Sequence, residues 1–419
     1  MHIHMEPKTL LNFILAITIF SYLFDQFLEF LNLTHQRSDI PRDIEAFYQR
    51  DKYLKSLAYH RQTTKFSFLT SALSFIFSMA LLLSGGFGWL DTLLRNYFQH
   101  DIILALAFFG VITIVSDVLT TPFQSYRTFV IEEKYGFNKT TVTTFFTDKI
   151  KGYLLTATIG GSLLSLFIWM AKQIGSDFWF WFSAVAAIFI LLVNMFYTSL
   201  ILPLFNKLTP LPEGDLRKSI ENFSKKVNFP LDSVFIIDGS KRSMKANAFF
   251  SGIGKKKKIV LYDTLIQNHT TDELVAVLAH EVGHFKKKHI VYGYILSLLQ
   301  IVFTLFILSR MVYSDSISLA LGGTQSAIHL NLIAFGILFS PISAVTGLLM
   351  KIYSRKNEFE ADAYARQQFN GIALSDALKK LSVASLSELY PHPAYVFFHY
   401  SHPPLMKRLA VLSDSVNNG

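Results

Sequence analysis

The chain has 419 residues, of which 51% are hydrophobic, 15% aromatic and only 16% charged, with a mean hydropathy of +0.35. An ordinary soluble domain carries about 25% charge, so these figures exclude disordered, collagenous and coiled-coil chains and leave a protein that crosses a membrane several times. The complete lack of Cys removes thiol nucleophiles, Cys-zinc centres and disulfide scaffolds. The net charge of +9 admits nucleic acid as a partner only until the cations are placed along the chain.

A helix needs about 20 apolar residues to cross a bilayer core. In chain order, seven stretches meet that length: 9–30, 66–90, 102–122, 152–170, 178–205, 290–313 and 330–353. The first is too long for the apolar part of a signal peptide and has no small-residue cleavage site after it, so it reads as retained. Asp25, Glu29 and Asp117 fall inside spans, where an ionisable group needs a functional reason. Lys and Arg sort by connection. The first, third and fifth connections and the tail hold seven, five, fifteen and eight of them; the second, fourth and sixth hold one each. The positive-inside rule then puts the N-terminus outside and the tail in the cytoplasm. The excess charge is a topology signal, and nucleic acid is not required.

Four units follow: five spans with two basic cytoplasmic connections over 1–205, a polar segment over 206–289, two more spans over 290–353, and a second polar segment over 354–419. Neither polar segment alone buries much core, so together they are expected to form one split cytoplasmic domain. Within it, 233–238 and 258–262 read as short β-branched and aromatic strands separated by Gly252 and Gly254. Asn247–Phe250 between them is either an edge that pairs with an extended peptide or a merely solvated one. The lysine runs Lys255–Lys258 and Lys286–Lys288 are expected to meet anionic headgroups or water.

The chemistry sits at the end of the fifth connection. Thr270 and Glu273 have capping-box spacing and open a helix. On it His280 and His284 lie one turn apart on one face, with Glu281 beside them: H-E-x-x-H, a metal-binding pair with a candidate general base. A structural His pair is the plain alternative. A zinc site also needs a third ligand, which without Cys must be a His or a carboxylate. In the tail, Glu358 and Asp362 share one helical face, as a ligand and a second acid orienting an imidazole would; a solvated acidic face is the alternative. His284 lies six residues before the sixth span and Glu358 five after the seventh. At 1.5 Å per residue both are roughly 9 Å from the same membrane face, and packing of the two spans is expected to bring them together.

These residues, with three further stretches, resemble the type I CAAX prenyl endopeptidases over most of the chain. The stretches are Phe129–Lys139, Asn247–Phe249 with Lys258–Leu265, and Tyr400–Pro404 with Arg408. The resemblance implies seven helices in a ring around a chamber, zinc held by His280, His284 and Glu358, and Glu281 as general base. It also implies that Asp362 orients a ligand imidazole, that His402 stabilises the oxyanion, and that Asn247, Ala248 and Arg408 serve the substrate. Asp25, Glu29 and Asp117 would face the chamber. A short sixth connection and a tail without a lysine-based retention signal suit a compact bacterial member in the inner membrane; a eukaryotic one would sit in the endoplasmic reticulum.

The expected fold is therefore an all-α membrane protein with a split zinc metalloprotease domain containing a small β-sheet. The expected activity is zinc-dependent endopeptidase action at the cytoplasmic membrane face, removing the last three residues of proteins with a lipidated C-terminal Cys. Peptide or lipidated protein, membrane lipids and no nucleic acid are the expected partners, and the chain is expected to be a monomer. A broad-specificity quality-control protease is the rival of the same chemistry. A seven-helix transporter or lipid-binding scaffold with a vestigial metal site is the rival of another class.

Overall fold

Inside a bilayer the backbone must satisfy its own hydrogen bonds, so an apolar chain of this kind folds into helices. The computed structural model describes residues 5–251 and 257–413. The helices α1 (Pro7–Thr34), α2 (Arg50–Leu83) and α3 (Asp101–Tyr126) come first, and each is long and apolar enough to cross a membrane. α4 (Val142–Leu155), α5 (Gly161–Ile174) and α6 (Phe178–Phe196) belong to one helical stretch that runs on to Phe205. That stretch doubles back. Gly175 takes φ +72 between α5 and α6, a conformation that favours glycine, and Phe167 meets Phe178 and Phe182 edge-on across the turn.

After the sheet region, with its helix α7 (Asp215–Lys226), come α8 (Thr271–Lys286) and the apolar α9 (His289–Met311). The span expected over 330–353 is two helices rather than one. α10 (Ile328–Leu338) and α11 (Ser340–Ala365) meet at 54°. Pro341 explains the break: it fits the first turn of α11 but cannot continue the helix before it. The tail adds α12 (Gly371–Ala384) and α13 (Leu405–Ser413). Among the described residues, five helices qualify as spans, or six with the bent pair counted as one.

The spans stand apart over part of their length. In α2 the buried residues are Tyr53, Ser56, Leu57, Tyr59 and Leu82, all near its ends. Between them Thr63, Ser67, Thr70, Ser74 and Ser78 repeat at helical spacing and line a cavity of about 840 Å³. Glu29 lines it too and accepts a hydrogen bond from Tyr395, 2.9 Å away. Asp117 pairs with Lys149 of the next helix at 2.6 Å, a cation that offsets the cost of its charge; its neighbours Ser116 and Thr120 line the cavity. Asp25 is exposed and also outside the lining.

The sheet has four strands, β1 (Leu208–Pro210), β2 (Leu231–Ile237), β3 (Ala248–Ser251) and β4 (Lys257–Tyr262), in the order β1-β2-β4-β3. β2 and β4 are parallel; the outer strands are antiparallel to their neighbours. The expected separators Gly252 and Gly254 lie outside the described residues, as do Lys255 and Lys256. Lys257 departs from the headgroup expectation. It is 6% exposed, with its ammonium over the rings of Phe250 and Phe285, so aromatic faces take the place of water. Lys286, Lys287 and Lys288 are exposed, as expected.

One apolar cluster spans both polar segments, joining Ile220, Phe223, Val275 and Val282 to Ala365, Leu374 and Leu412. Direct packing of α8 on α11 draws the segments together, and α9 is not needed as the intermediary. Gly283 lies so close to α11 that a Cβ there would stand 3.0 Å from the Ala361 Cα. α9 leans instead on α6, where Tyr294 donates to the Ala187 carbonyl at 3.0 Å.

Candidate metal centre

The start of α8 is fixed by chemistry that the sequence spells out. The Thr270 hydroxyl accepts from the Glu273 N–H at 3.3 Å and the Glu273 carboxylate accepts from the Thr270 N–H at 2.9 Å, a complete capping box. Lys380 of α12 pairs with Glu273 at 2.7 Å and ties this end to the tail. Three turns on, His280 and His284 project from one face with their Nε2 atoms 3.2 Å apart.

α11 supplies the acid. Glu358, 4% exposed, puts Oε2 3.5 Å from His280 Nε2 and Oε1 3.3 Å from His284 Nε2. Metal–ligand bonds of about 2.0–2.1 Å at tetrahedral angles separate donor atoms by roughly 3.3–3.4 Å. The Nε2–Nε2 separation is close to that value, and with one carboxylate oxygen of Glu358 taken as the third donor all three atoms lie within 4.8 Å of one another. Two imidazole nitrogens and a carboxylate are the donor set of a catalytic zinc site with one position left for water or substrate.

Each imidazole is held from behind. His280 Nδ1 lies 2.8 Å from Asp362, which is fully buried and clamped in turn by Arg408 of α13 through bonds of 2.8 and 2.6 Å. Burial opposes a proton on His280, yet its bonds to Asp362 and Glu358 prevail and hold its pKa up at about 9. His284 Nδ1 meets His289 Nδ1 at 3.1 Å, and His289 Nε2 reaches Glu360 at 3.2 Å. Sequence reasoning missed this second brace. Its signal was present: a histidine five residues after His284, and an acid midway between Glu358 and Asp362.

Glu281 is half-buried beside the pair; burial pushes its carboxyl up, while the nearby His280 and His284 pull it down less strongly. His402 is 66% exposed and its Nδ1 lies 3.0 Å from Glu358, while Arg408 Nη1 is 3.5 Å from the same oxygen. So His280, His284, Glu358, Asp362, His402 and Arg408 form one contact network, although they come from three helices and a loop. Among the described residues, Asn247 and Ala248 are not hydrogen-bonded into that network. Asn247 is exposed, its carbonyl accepts from the Tyr262 N–H at 3.1 Å, and β3 is the edge of the sheet. The link is packing: Ala248 and Phe250 rest on the apolar cluster that contains Val282 of α8.

Family models match nearly the whole chain. One described as CAAX prenyl protease N-terminal, five membrane helices, covers residues 29–207, and one for peptidase family M48 covers residues 210–416. The chain is 33% identical to a CAAX prenyl protease 1 homolog of Oryza sativa subsp. japonica, over 97% of each chain. It is 37% identical to CAAX prenyl protease 1 of Saccharomyces cerevisiae, over 76% of this chain and 74% of that one. The crystal structure of S. mikatae Ste24p superposes with a TM-score of 0.91 at 32% identity, covering 96% of this chain and 99% of that one.

Proposed function

Since the chain belongs to the CAAX prenyl protease 1 family of M48 metalloendopeptidases, we propose that it cleaves the C-terminal tripeptide from proteins with a lipidated CAAX Cys. One observation carries this reading: His280, His284 and Glu358 converge at donor spacings that suit one divalent ion.

Zinc fits this donor set, and when bound it supplies Lewis acidity that polarises a peptide carbonyl and makes water a competent nucleophile near neutral pH. Glu281 takes the proton of the attacking water and returns it to the departing amine. Asp362, fixed by Arg408, accepts a hydrogen bond from His280 Nδ1–H and so keeps the lone pair of Nε2 directed at the ion. His402, exposed at the rim, donates to the developing oxyanion. The free edge of β3 from Asn247 and Ala248 onward pairs with the substrate backbone, which makes binding independent of most side chains.

Seven spans are supported by the hairpin at Gly175 within the 142–205 stretch and by the bent pair α10–α11. A split catalytic domain over 206–289 and 354–419 is supported by the apolar cluster the two segments share. The basic odd connections support a cytoplasmic site in a multi-pass protein, here taken to act as a monomer. The endoplasmic reticulum is its membrane if the chain, like these relatives, is eukaryotic, and a bacterial inner membrane suits its compact sixth connection.

Purified protein is expected to release the tripeptide from a farnesylated CAAX peptide. Glu281→Gln should lower kcat by about 10²–10⁴, the usual contribution of a general base, with the metal retained. A wild type that leaves this peptide intact while degrading unmodified membrane proteins would favour the quality-control reading. Equal turnover in both proteins would remove Glu281 from the mechanism.

A further inference from the structure

Beside the metal group, α9 and α11 flank a second cleft of about 380 Å³, whose lining shares no residue with that of the 840 Å³ cavity. The two helices touch where His289 meets Glu360, and again deeper in the spans where Gln300 donates to Thr346 at 3.2 Å. Eleven residues of α9 separate these contacts, on the order of 16 Å of helix. The cleft opens between them, with one end at the interface and the other among apolar residues.

Its lining changes character along that line. At the interface stand Lys287 and Lys356, both exposed, and then the amphipathic rings of Tyr292 and Tyr353. One turn further in, Ile295 and Leu296 are 45% and 36% exposed. Cations, then tyrosines, then aliphatic surface is the order in which a phospholipid presents phosphate, glycerol ester and acyl chain. The acid in the cleft, Glu360, is engaged by His289 at 3.2 Å and by Lys356 at 3.8 Å, so the two lysines leave a net positive mouth. Lys286 and Lys288 extend that charge on either side of Lys287.

Asn357 adds a polar group that suits a ligand. It lines the cleft, is 8% exposed, and its carboxamide makes no hydrogen bond among the described residues. Its polar atoms are not sealed from the cleft, so the carboxamide is free to donate to a phosphate or glycerol oxygen that enters it.

We propose that this cleft binds the headgroup of an anionic phospholipid from the leaflet next to the metal centre, the phosphate lying between Lys287 and Lys356 and an acyl chain along Ile295 and Leu296. The bound lipid would rest against His289, the ring that braces His284, so the site adjoins the catalytic group without belonging to it.

The test reads binding alone and does not depend on any protease activity. The full chain in detergent is titrated with phosphatidylglycerol or phosphatidylcholine and the first bound lipid is quantified by native mass spectrometry. The wild type should prefer the anionic lipid by at least about fivefold, the effect of roughly one lysine near a charged surface. The preference should collapse in Lys287→Gln/Lys356→Gln and survive in Lys52→Gln/Lys55→Gln, which removes two exposed lysines elsewhere. Equal affinity for the two lipids overturns the proposal, as does a preference that persists in the first variant or falls equally in the second. Displacement of the lipid by equimolar inorganic phosphate would overturn the lipid as occupant.

Discussion

The same three side-chain types meet at two places in this molecule. In the metal centre Asp362 is bound by His280 and clamped by Arg408; among the spans, fully buried Asp91 lies 2.7 Å from His329 and 2.8 Å from Arg95. Pair by pair the two triads look alike, and they differ in what the imidazole's other side meets. His280 turns Nε2 toward a second imidazole and a carboxylate, whereas the His329 ring packs 4.6 Å from the Phe108 ring within the apolar core. Convergence of further donors suits one triad to the proposed metal site; enclosure suits the other to a structural role.

The largest expected effect separates ligand from neighbour. Glu358→Ala should release the metal and abolish peptide cleavage, checked by metal analysis of the purified variant; undiminished zinc would show that the third ligand lies elsewhere. The sharpest use of the comparison is to cut both triads at the same point. Asp362→Ala is expected to weaken metal affinity by about 10–100-fold, the usual cost of losing a group that orients a ligand. Asp91→Ala should leave metal affinity unchanged but lower stability by about 3–5 kcal/mol, because it strands buried partners. If instead Asp91→Ala reduced metal affinity as much as Asp362→Ala, the distinction drawn between the triads would fail.

A smaller effect is expected behind the other imidazole. His289→Ala removes the contact to His284 Nδ1 and should loosen the metal by about tenfold, at the low end of such effects, with chelator-induced metal loss as the readout. The smallest concerns a half-buried acid that, among the described residues, has no cation in the manner of either triad. Glu388 beside the large cavity has its carboxyl pushed up to about 7 by burial, against the hydrogen bonds from Asn32 and Gln36. Its folded value lies above its unfolded one, so its proton is favoured in the fold and stability declines as pH rises from about 4.5 to 7. Glu388→Gln should therefore raise stability at pH 8 by roughly 1–2 kcal/mol, after discounting for partial exposure, and do nothing at pH 4; thermal unfolding at the two pH values checks both.

Much of the centre was readable because local rules fix it. The capping box at Thr270 sets where α8 begins, and 3.6-residue periodicity then puts His280 and His284 on one face and Glu358 and Asp362 on another. The hydroxyl stripe from Thr63 to Ser78 was equally legible as a helical repeat, but nothing in a single helix tells whether such a face meets protein, lipid or a cavity. The brace from His289 was overlooked since a histidine opening a span reads as an interfacial residue until its neighbour is known.

Composition, hydropathy and the distribution of Lys and Arg were enough to determine a multi-pass membrane protein with a metal-binding helix, because those properties depend on residues close in sequence. The chain alone could not decide that α8 would pack directly on α11, that Pro341 would split the last span, or that Asp117 would pair with Lys149. Each of these turns on a contact between distant segments, where close approach at Gly283 or the cost of an unpaired charge selects among arrangements that local periodicity leaves equal.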